Sequence, residues 1–333
     1  MAQLYGTQFS KSDLLKRVGD ISQIAGATRF EYTEGKAKGT AAIEIKNGSG
    51  LRFVVLPDRG MDIGYTECNG IAVSYISKTG VVNPAHYDET DFLRSFTGGL
   101  LTTCGLTYMG AACVDEGVPL GAHGRIANTP AFDVCLRQEW VEDDYLIEVS
   151  GKVRESTVFG EDLVLTRTIS TKLGENAIRI HDEIENRGFV HTPLMVLYHL
   201  NFGFPLVSES TILETNAINC RPRDDDAAEG VGRECICSAP IHGFREQVFY
   251  RDAFKHTYAR LSTLSLGLSV GVHFDGSELP YLVEWKQMGE QEYVMGLEPA
   301  TYPPDGRAKA RERGELPLLP PQKTKTHDLL ITF

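Results

Sequence analysis

The sequence lacks any uninterrupted apolar run of about 18 residues, the length that a membrane-spanning helix requires. Its first 20 residues, MAQLYGTQFSKSDLLKRVGD, are polar and mixed in charge and contain no apolar core of a signal peptide. The chain carries 45 acidic and 33 basic residues, and no basic cluster is interleaved with aromatic residues. Since nucleic-acid binding requires Lys and Arg to neutralise phosphates, these absences predict a cytoplasmic protein that binds neither membranes nor nucleic acid.

Cysteines are few and show no pairing pattern. The seven cysteines are scattered along the chain, and their number is odd. Only Cys235 and Cys237 are close in sequence, and the single residue between them matches neither a zinc knuckle nor a redox-active pair. The sequence therefore predicts buried free thiols in a reducing compartment.

Helical periodicity is also scarce. Only residues 10–20 combine capping serines with leucines and a valine at helical spacing, which predicts one short helix outside the sheets. Most of the remaining chain alternates apolar and polar residues in short runs separated by turn signals, as in AIEIKNGSGLRFVVL. Since there is no β-α-β alternation, this pattern predicts an all-β fold of two large packed antiparallel sheets with a few short helices.

No low-complexity linker divides the 333 residues, of which 42% are hydrophobic. We therefore predict a single domain over residues 1–333, in which residues 1–38 form an N-terminal extension with a short helix and residues 39–333 form a β-sandwich. Two irregular stretches, residues 220–234 and 298–325, are rich in charge or proline and are predicted to be surface segments.

Polar residues interrupt a strand-like segment at VLYHLNFGFPL, residues 196–206. Because side chains alternate between the two faces of a strand, His199 and Asn201 share one face, and Leu200 and Phe202 share the other. Either the polar face lines a cavity, or a neighbouring backbone group satisfies a buried histidine. The first explanation makes His199 and Asn201 candidate site residues.

A second polar interruption is LGAHGRIANTPA, residues 120–131, where His123 and Arg125 stand beside Gly121 and Gly124. Glycines permit a ligand or another backbone to approach closely, so both polar residues are candidates for ligand binding. The alternative is a plain turn that exposes them to solvent.

A third segment, YLVEWKQMGEQEYVMGLEPATYPP, residues 281–304, places Glu298 directly before Pro299. Proline ends ladder pairing and keeps the residue before it extended, so Glu298 is expected at a strand end, where functional residues are common. Upstream, the indole of Trp285 offers a platform for the C–H face of a sugar, although a structural tryptophan is equally compatible with the sequence.

Three basic side chains are further candidates for substrate binding, in particular for an anionic group: Arg59, Arg125 and Lys286. Arg59, in the segment LPDRGMDI, stands at a turn after a strand, from which its planar donor fork could reach a ligand. The alternative is that these residues form structural ion pairs, in the case of Arg59 with Asp58, Asp62 or another carboxylate.

Taken in order, these segments resemble the aldose 1-epimerase, or galactose mutarotase-like, superfamily, and more narrowly a bacterial branch of it. Residues 167–206 carry the main resemblance: two strands, Asn186 after the second, a proline-containing strand, and a His-x-x-Phe signature at His199 and Phe202. The segment AHGRIANTPA is similar to the family's His-Gly segment, and MGLEPAT to its terminal Glu segment. The resemblance extends over roughly residues 40–333.

The resemblance implies a large antiparallel β-sandwich, the galactose mutarotase-like supersandwich, with a cleft on one concave sheet. It implies that His199 is the catalytic acid, that Glu298 is the catalytic base, and that His123 lies beside the sugar ring oxygen. It also matches Arg59 to a substrate-binding arginine of the family. Such a site interconverts the anomers of an aldose or related sugar by acid–base ring opening, and it requires no cofactor.

Two features depart from the family pattern. Tyr198 precedes His199 where the family usually has asparagine. No residue clearly matches the aspartate that commonly binds sugar hydroxyls, which leaves Asp224, Asp225 and Glu246 as candidates. For the two catalytic groups to reach opposite sides of a sugar ring, we expect a space of about 5–8 Å between them. The identity of the sugar and the oligomeric state stay open.

Three other functions are compatible with the same residues. His123, His199 and Glu298 could hold a metal ion as a two-His-one-carboxylate set in a sugar isomerase, although the closely spaced His-x-His pair of cupins is absent. A non-catalytic carbohydrate-binding protein would need aromatic platforms and no acid–base pair. An isomerase or epimerase of a keto sugar, a sugar acid or a sugar phosphate would use the basic side chains.

Overall fold

The computed structural model describes residues 1–333 and contains three short α-helices: α1 (Lys11–Leu15), α2 (Asp225–Ala228) and α3 (Arg307–Glu312). The predicted N-terminal helix is present as α1. Ser10 caps it by accepting a hydrogen bond from the backbone N–H of Asp13, but the helix ends before the predicted boundary. None of the three helices has the length and apolar character needed to cross a membrane.

Strands make up most of the chain. The first twelve are β1 (Ala2–Leu4), β2 (Thr7–Phe9), β3 (Gly26–Glu31), β4 (Ala41–Lys46), β5 (Leu51–Leu56), β6 (Asp62–Cys68), β7 (Ile71–Ala72), β8 (Tyr75–Ile76), β9 (Gly98–Gly99), β10 (Leu101–Cys104), β11 (Cys113–Asp115) and β12 (Val118–Leu120). The others are β13 (Phe132–Val141), β14 (Asp144–Ser156), β15 (Asp162–Lys172), β16 (Ala177–Asn186), β17 (Thr192–Pro193), β18 (Leu197–Gly203), β19 (Thr211–Thr215), β20 (Ile218–Pro222), β21 (Gln247–Asp252), β22 (Thr257–Thr263), β23 (Leu268–Phe274), β24 (Tyr281–Gly289), β25 (Glu292–Ala300), β26 (Leu318–Leu319) and β27 (Thr324–Thr332).

Two large sheets contain most of these strands, and the others form four two-stranded sheets. The larger sheet has the order β20-β21-β24-β25-β18-β10-β6-β5-β4-β3, and β7 pairs with β6. The smaller sheet has the order β13-β14-β15-β16-β27-β23-β22-β19. Neighbouring strands are antiparallel throughout both sheets, for example β18 against β25 and β15 against β16. This architecture confirms the predicted all-β antiparallel sandwich.

The two sheets pack against each other through one hydrophobic cluster of 52 buried residues. Strand β14 illustrates how the sequence builds this core, because its burial alternates residue by residue. Its inward residues Ile147, Val149 and Val153 belong to the cluster. Full burial of one such aliphatic side chain contributes about 1.5–3 kcal/mol, so the period-two pattern fixes which face of each strand points inward.

Strand β18 obeys the same alternation but is buried on both faces. Tyr198, Leu200 and Phe202 belong to the core between the sheets. His199 and Asn201 therefore point to the outer face of the larger sheet, as the alternation predicts. That outer face carries a second, smaller apolar cluster and is covered by loops, so polar residues there are buried without entering the main core.

A charged group bridges the two sheets. Arg167, fully buried on β15, donates from Nε and Nη2 to the two carboxylate oxygens of Asp182 at 2.9 and 2.7 Å. Its Nη1 donates across the core to Asp62 Oδ1 at 3.1 Å and to Thr103 Oγ1 at 2.8 Å. The hydroxyl of Tyr198 also donates to Asp182, at 2.7 Å. The network thus joins β15 and β16 of one sheet to β6, β10 and β18 of the other.

Replacing Arg167 by methionine should lower the free energy of unfolding by about 3–5 kcal/mol, because two buried carboxylates lose their cation. Arg154→Met is the matched control. Arg154 makes an equally two-pronged contact with Asp162, at 2.8 and 2.7 Å, but at the surface, so the loss should stay within about 1 kcal/mol. Urea denaturation of both variants measures the difference. Equal losses would contradict the bridging role of Arg167.

Candidate active site

The pairing of β18 with β25 brings His199 and Glu298 together. In this antiparallel pair Leu200 lies opposite Leu297. His199 precedes Leu200 and Glu298 follows Leu297, so these two residues also lie opposite each other. The Nδ1 atom of His199 lies 3.2 Å from Oε1 of Glu298. The two polar interruptions recognised in the sequence are therefore cross-strand neighbours on the outer face of the larger sheet.

This contact corrects the expected spacing of about 5–8 Å. Directly opposed residues of an antiparallel pair have Cβ atoms only about 4.5–5.5 Å apart, so their side chains touch rather than enclose a sugar ring. The prediction of a ring-sized space between His199 and Glu298 is wrong. The two facing atoms are buried, are not aligned as a hydrogen bond, and have no other hydrogen-bond partner.

A glycine makes room for the carboxylate. A Cβ atom at Gly296 would lie 2.4 Å from Oε1 of Glu298, so only glycine lets the glutamate fold back over β25. Gly296 is paired with Trp285 on β24. The absence of a side chain at this position therefore leaves space between the carboxylate of Glu298 and the indole of Trp285.

His123 approaches the same place from a loop. Its backbone is left-handed, with φ of 61°, and its N–H donates to the carbonyl of Gly110 at 2.9 Å. At the neighbouring Gly124, a Cβ atom would lie 2.2 Å from the carbonyl oxygen of Gly105, so the tight packing predicted for these glycines is present. The imidazole ring of His123 lies 5.8 Å from that of His199, and its Nδ1 is buried without a partner.

The three side chains line a cavity of about 570 Å³, a volume within the usual range for small-molecule sites. Aromatic rings form part of its wall: Trp285, Phe96 and Phe92. The Trp285 ring centroid lies 5.1 Å from that of His199 and 6.1 Å from that of Phe96. The wall therefore combines an aromatic surface with the polar His199–Glu298 pair.

Charged residues form another part of the wall. Arg223 donates to Asp224 at 2.7 Å and to Glu246 at 3.0 Å, and Trp285 Nε1 donates to Glu246 at 2.8 Å. Of the three acidic candidates left open by the sequence, Asp224 and Glu246 line the cavity. Asp225 is not among its lining residues and lies in the first turn of α2.

Several lining residues escaped the sequence reasoning: Phe92, Phe96, Arg223, Asp305 and Lys309. None belongs to a motif, and all lie outside the strands. Arg223, Asp305 and Lys309 lie in the two polar stretches, residues 220–234 and 298–325. The polar composition of these stretches predicts surface segments, but it does not indicate a ligand site.

Arg59 does not reach the cavity, which corrects its prediction as a substrate-binding residue. It is 3% exposed and donates to the carbonyl oxygens of Val82 and Ser95 at 2.9 and 2.7 Å and to Asn128 Oδ1 at 2.6 Å. Burial lowers the pKa of Arg59 to about 10. The guanidinium fork holds loop segments together, and no carboxylate forms an ion pair with it.

Three other candidates are also separate from the cavity lining. Arg125 forms an ion pair with Glu89 at 2.6 Å. Lys286 follows Trp285 directly on β24 and so points to the opposite face, where its amino group donates to the carbonyl oxygens of residues 233 and 236. Asn201 shares the face of His199 but lies farther along the strand, and its Nδ2 donates to the carbonyl of Gly99 at 3.2 Å.

Burial shifts the titration of the central groups toward their uncharged forms. Burial and the neighbouring His123 lower the pKa of His199 to about 3, and burial lowers the pKa of His123 to about 4. Burial, with a further contribution from Glu246, raises the pKa of Glu298 well above its usual value. The site therefore favours neutral imidazoles and a carboxylic acid over an imidazolium and a carboxylate.

The alternative of a metal-dependent isomerase requires side chains that are arranged to bind a metal ion. No group of three or more His, Cys, Asp or Glu side chains in the structure is placed so that it could hold a metal ion. His123, His199 and Glu298 converge on one cavity, but they do not form such a group.

We predict that Arg59→Lys destabilises the fold by at least about 2 kcal/mol, because one amino group cannot replace three buried hydrogen bonds from a planar fork. Arg29→Lys is the control. Arg29 also donates to a backbone carbonyl, that of Val134, but at the surface, and its replacement should change stability by less than about 0.5 kcal/mol. Urea denaturation tests both, and an unchanged midpoint for Arg59→Lys would refute its structural role.

Solved structures with the same fold include several sugar-epimerase relatives. A candidate aldose 1-epimerase from Klebsiella pneumoniae subsp. pneumoniae MGH 78578 is 26% identical, with a TM-score of 0.87 over 96% of this chain and 85% of that one. A galactose mutarotase-like protein from Clostridium acetobutylicum is 16% identical, with a TM-score of 0.64 over 93% and 98%. Galactose 1-epimerase from Lactobacillus acidophilus NCFM is 15% identical, with a TM-score of 0.58 over 92% and 98%.

The fold is therefore that of aldose 1-epimerase-like and galactose mutarotase-like proteins, as the resemblance predicted. No curated protein matches the sequence. One family does match, over residues 37–333, which is most of the chain. On that match, the chain belongs to the family described as a domain of unknown function, DUF4432.

Proposed function

We propose that the protein interconverts the anomers of an aldose or a related sugar by acid–base ring opening at His199 and Glu298. The observation that carries this proposal is the buried His199–Glu298 contact at one cavity with an aromatic wall. The structural relatives named as aldose and galactose 1-epimerases support it, since they share the fold. Trp285 offers an aromatic face to the C–H side of a sugar ring, and Asp224 and Glu246 offer acceptors to its hydroxyls.

Anomer interconversion needs two proton movements. The hydroxyl on the anomeric carbon loses its proton as the bond from that carbon to the ring oxygen breaks, and the ring oxygen gains a proton. The open aldehyde then rotates and closes from its other face by the reverse steps. A proton acceptor near the anomeric hydroxyl and a donor near the ring oxygen each contribute about 10²–10⁴-fold.

The contact between the two side chains allows them to act as one unit. Nδ1 of His199 and Oε1 of Glu298 face each other, and both residues line the cavity, so Nε2 and Oε2 are the atoms left to meet a ligand. With Glu298 protonated on Oε1 and His199 on Nε2, Oε2 accepts the anomeric proton while Nε2 donates to the ring oxygen. A small rotation of the two side chains aligns their 3.2 Å contact as a hydrogen bond, and the Oε1 proton then passes to Nδ1 in the same step, so neither side chain acquires a charge.

This relay fits a site in which burial penalises charge. A separate carboxylate base and imidazolium acid would each have to be charged in the cavity, against the direction in which burial shifts their pKa values. The relay keeps the roles expected from the sequence, with His199 as donor and Glu298 as acceptor. When the ring closes, the proton on Nδ1 returns to Oε1, so both side chains regain their starting protonation.

His199→Ala and Glu298→Gln should each lower kcat/KM by at least about 100-fold, and the double variant should be little slower than either single variant. The reason is that a relay fails as a whole once one member is lost. Exchange NMR or polarimetry, corrected for spontaneous interconversion, measures the rates. Losses that multiply in the double variant would indicate an independent acid and base, and a near-normal single variant would remove the assignment.

His181→Ala and Asp328→Asn provide the matched control pair. His181 Nδ1 contacts Asp328 Oδ1 at 2.7 Å on the exposed face of the smaller sheet, away from the cavity. These variants should retain the wild-type rate. Sugar binding without interconversion by the wild-type protein would favour the carbohydrate-binding alternative.

The pH profile offers a second test. Because burial holds the pKa of His199 near 3 and that of His123 near 4, lowering the pH through 6.5, where a free imidazole takes up a proton, should leave kcat/KM unchanged. The rate should fall only as the pH approaches about 4, where the imidazoles become charged. A fall in the rate as the pH is lowered from 7 to 6 would show that an imidazole takes up a proton in this range, and it would contradict the uncharged relay.

A further inference from the structure

The helix α3 and the residues after it carry four basic side chains, and three of them are ion-paired. Arg307 and Arg311 contact Asp115 at 2.6 and 2.7 Å. Arg313 contacts Asp305 at 2.9 Å. These arginines therefore have internal partners that account for their charge, and they hold the segment after β25 against the body of the protein.

The fourth basic residue, Lys309, differs from the three arginines in its contacts and in its position. It forms no ion pair and no hydrogen bond with its side chain, and it lines the same cavity as His199 and Glu298. Its side chain is exposed at the cavity rather than tied to the surface of α3. The structure thus leaves unpaired the basic residue of this segment that a ligand can reach.

The other charged groups of the cavity wall have partners. Arg223 lies between Asp224 and Glu246 and contacts both. Asp305 accepts hydrogen bonds from Arg313 and from the hydroxyl of Tyr250, at 2.9 Å each. Glu298 contacts His199, as described above. Lys309 is therefore the one cationic group of the wall that forms no ion pair with an acidic side chain.

We infer that the substrate is an anionic sugar, with a carboxylate or a phosphate ester remote from the anomeric carbon, and that Lys309 binds this anionic group. The inference rests on the proposed function, because the relay pair occupies the anomeric end and leaves the remote end for the rest of the wall. A charge-assisted contact to one ammonium group favours an anionic ligand over its neutral parent by roughly 10- to 100-fold. Lys309 is then a specificity-determining residue.

The test compares sugars that differ only in the remote group. Glucose, galactose and mannose are each supplied as the neutral sugar, the 6-carboxylate and the 6-phosphate, and kcat/KM for anomer exchange is measured by NMR. In the wild-type protein at least one anionic member should exceed its neutral parent by about 10-fold or more. The carboxylate and phosphate arms distinguish the two kinds of anion.

The variants assign the preference to Lys309. Lys309→Gln should reduce the anionic-to-neutral ratio to near one, and Lys309→Arg, which keeps the charge, should retain most of it. Lys255→Gln removes the same charge from the exposed turn between β21 and β22 and should leave the ratio at the wild-type value. A wild-type ratio near one for every pair, or a ratio unchanged in Lys309→Gln, overturns the inference.

Calorimetric binding separates this inference from the proposed function. If the wild-type protein exchanges no sugar but binds an anionic one that Lys309→Gln does not bind, the anionic ligand stands and the mutarotase proposal fails. If exchange proceeds equally on neutral and anionic sugars, the proposed function stands and the role of Lys309 fails. Binding of none of the nine sugars overturns the inference.

Discussion

Between the two sheets, the guanidinium of Arg167 is held by Asp182 from its own sheet and by Asp62 and Thr103 from the other. A charge without solvent exposure is tolerated only when it is paired and its hydrogen-bond donors are satisfied. The mutual position of the sheets is thereby constrained at one place more tightly than apolar packing alone would require. Tyr198, which donates to Asp182, carries this constraint to the strand that also holds His199.

The position of the site follows from the core packing of the opposite face of β18. Tyr198 faces the core, so its neighbour His199 faces outward, where loops have replaced solvent by protein. The antiparallel register then sets Glu298 against it, and Gly296 gives the carboxylate room. Burial disfavours charge on both groups, so the arrangement suits proton movements in which no charge is separated.

The walls of the cavity show a different use of charge. Hydrogen bonds connect the indole of Trp285 to Glu246, Glu246 to Arg223, and Arg223 to Asp224, so the aromatic surface and the acidic acceptors are held in one chain. In this chain one guanidinium, that of Arg223, holds two acidic acceptors in place and offsets one of their two negative charges. Lys309 lines the cavity but takes no part in this hydrogen-bonded chain. Its amino group is therefore available to a ligand, whereas the charged groups of the chain bind one another.

Period-two alternation along the chain, the scarcity of helical spacing and the turn signals were sufficient to predict the antiparallel sandwich, because these are local properties of strands. The same local rule predicts that His199 and Asn201 share a face. It also implies that Trp285 and Lys286, which are adjacent on one strand, point to opposite faces. The sequence could not decide the rest, since the cross-strand register that brings His199 within 3.2 Å of Glu298 depends on pairing between distant segments. The burial of Arg59 and the exposure of Lys309 to the cavity depend likewise on loop packing, which joins residues far apart in the chain and leaves no periodic trace in the sequence.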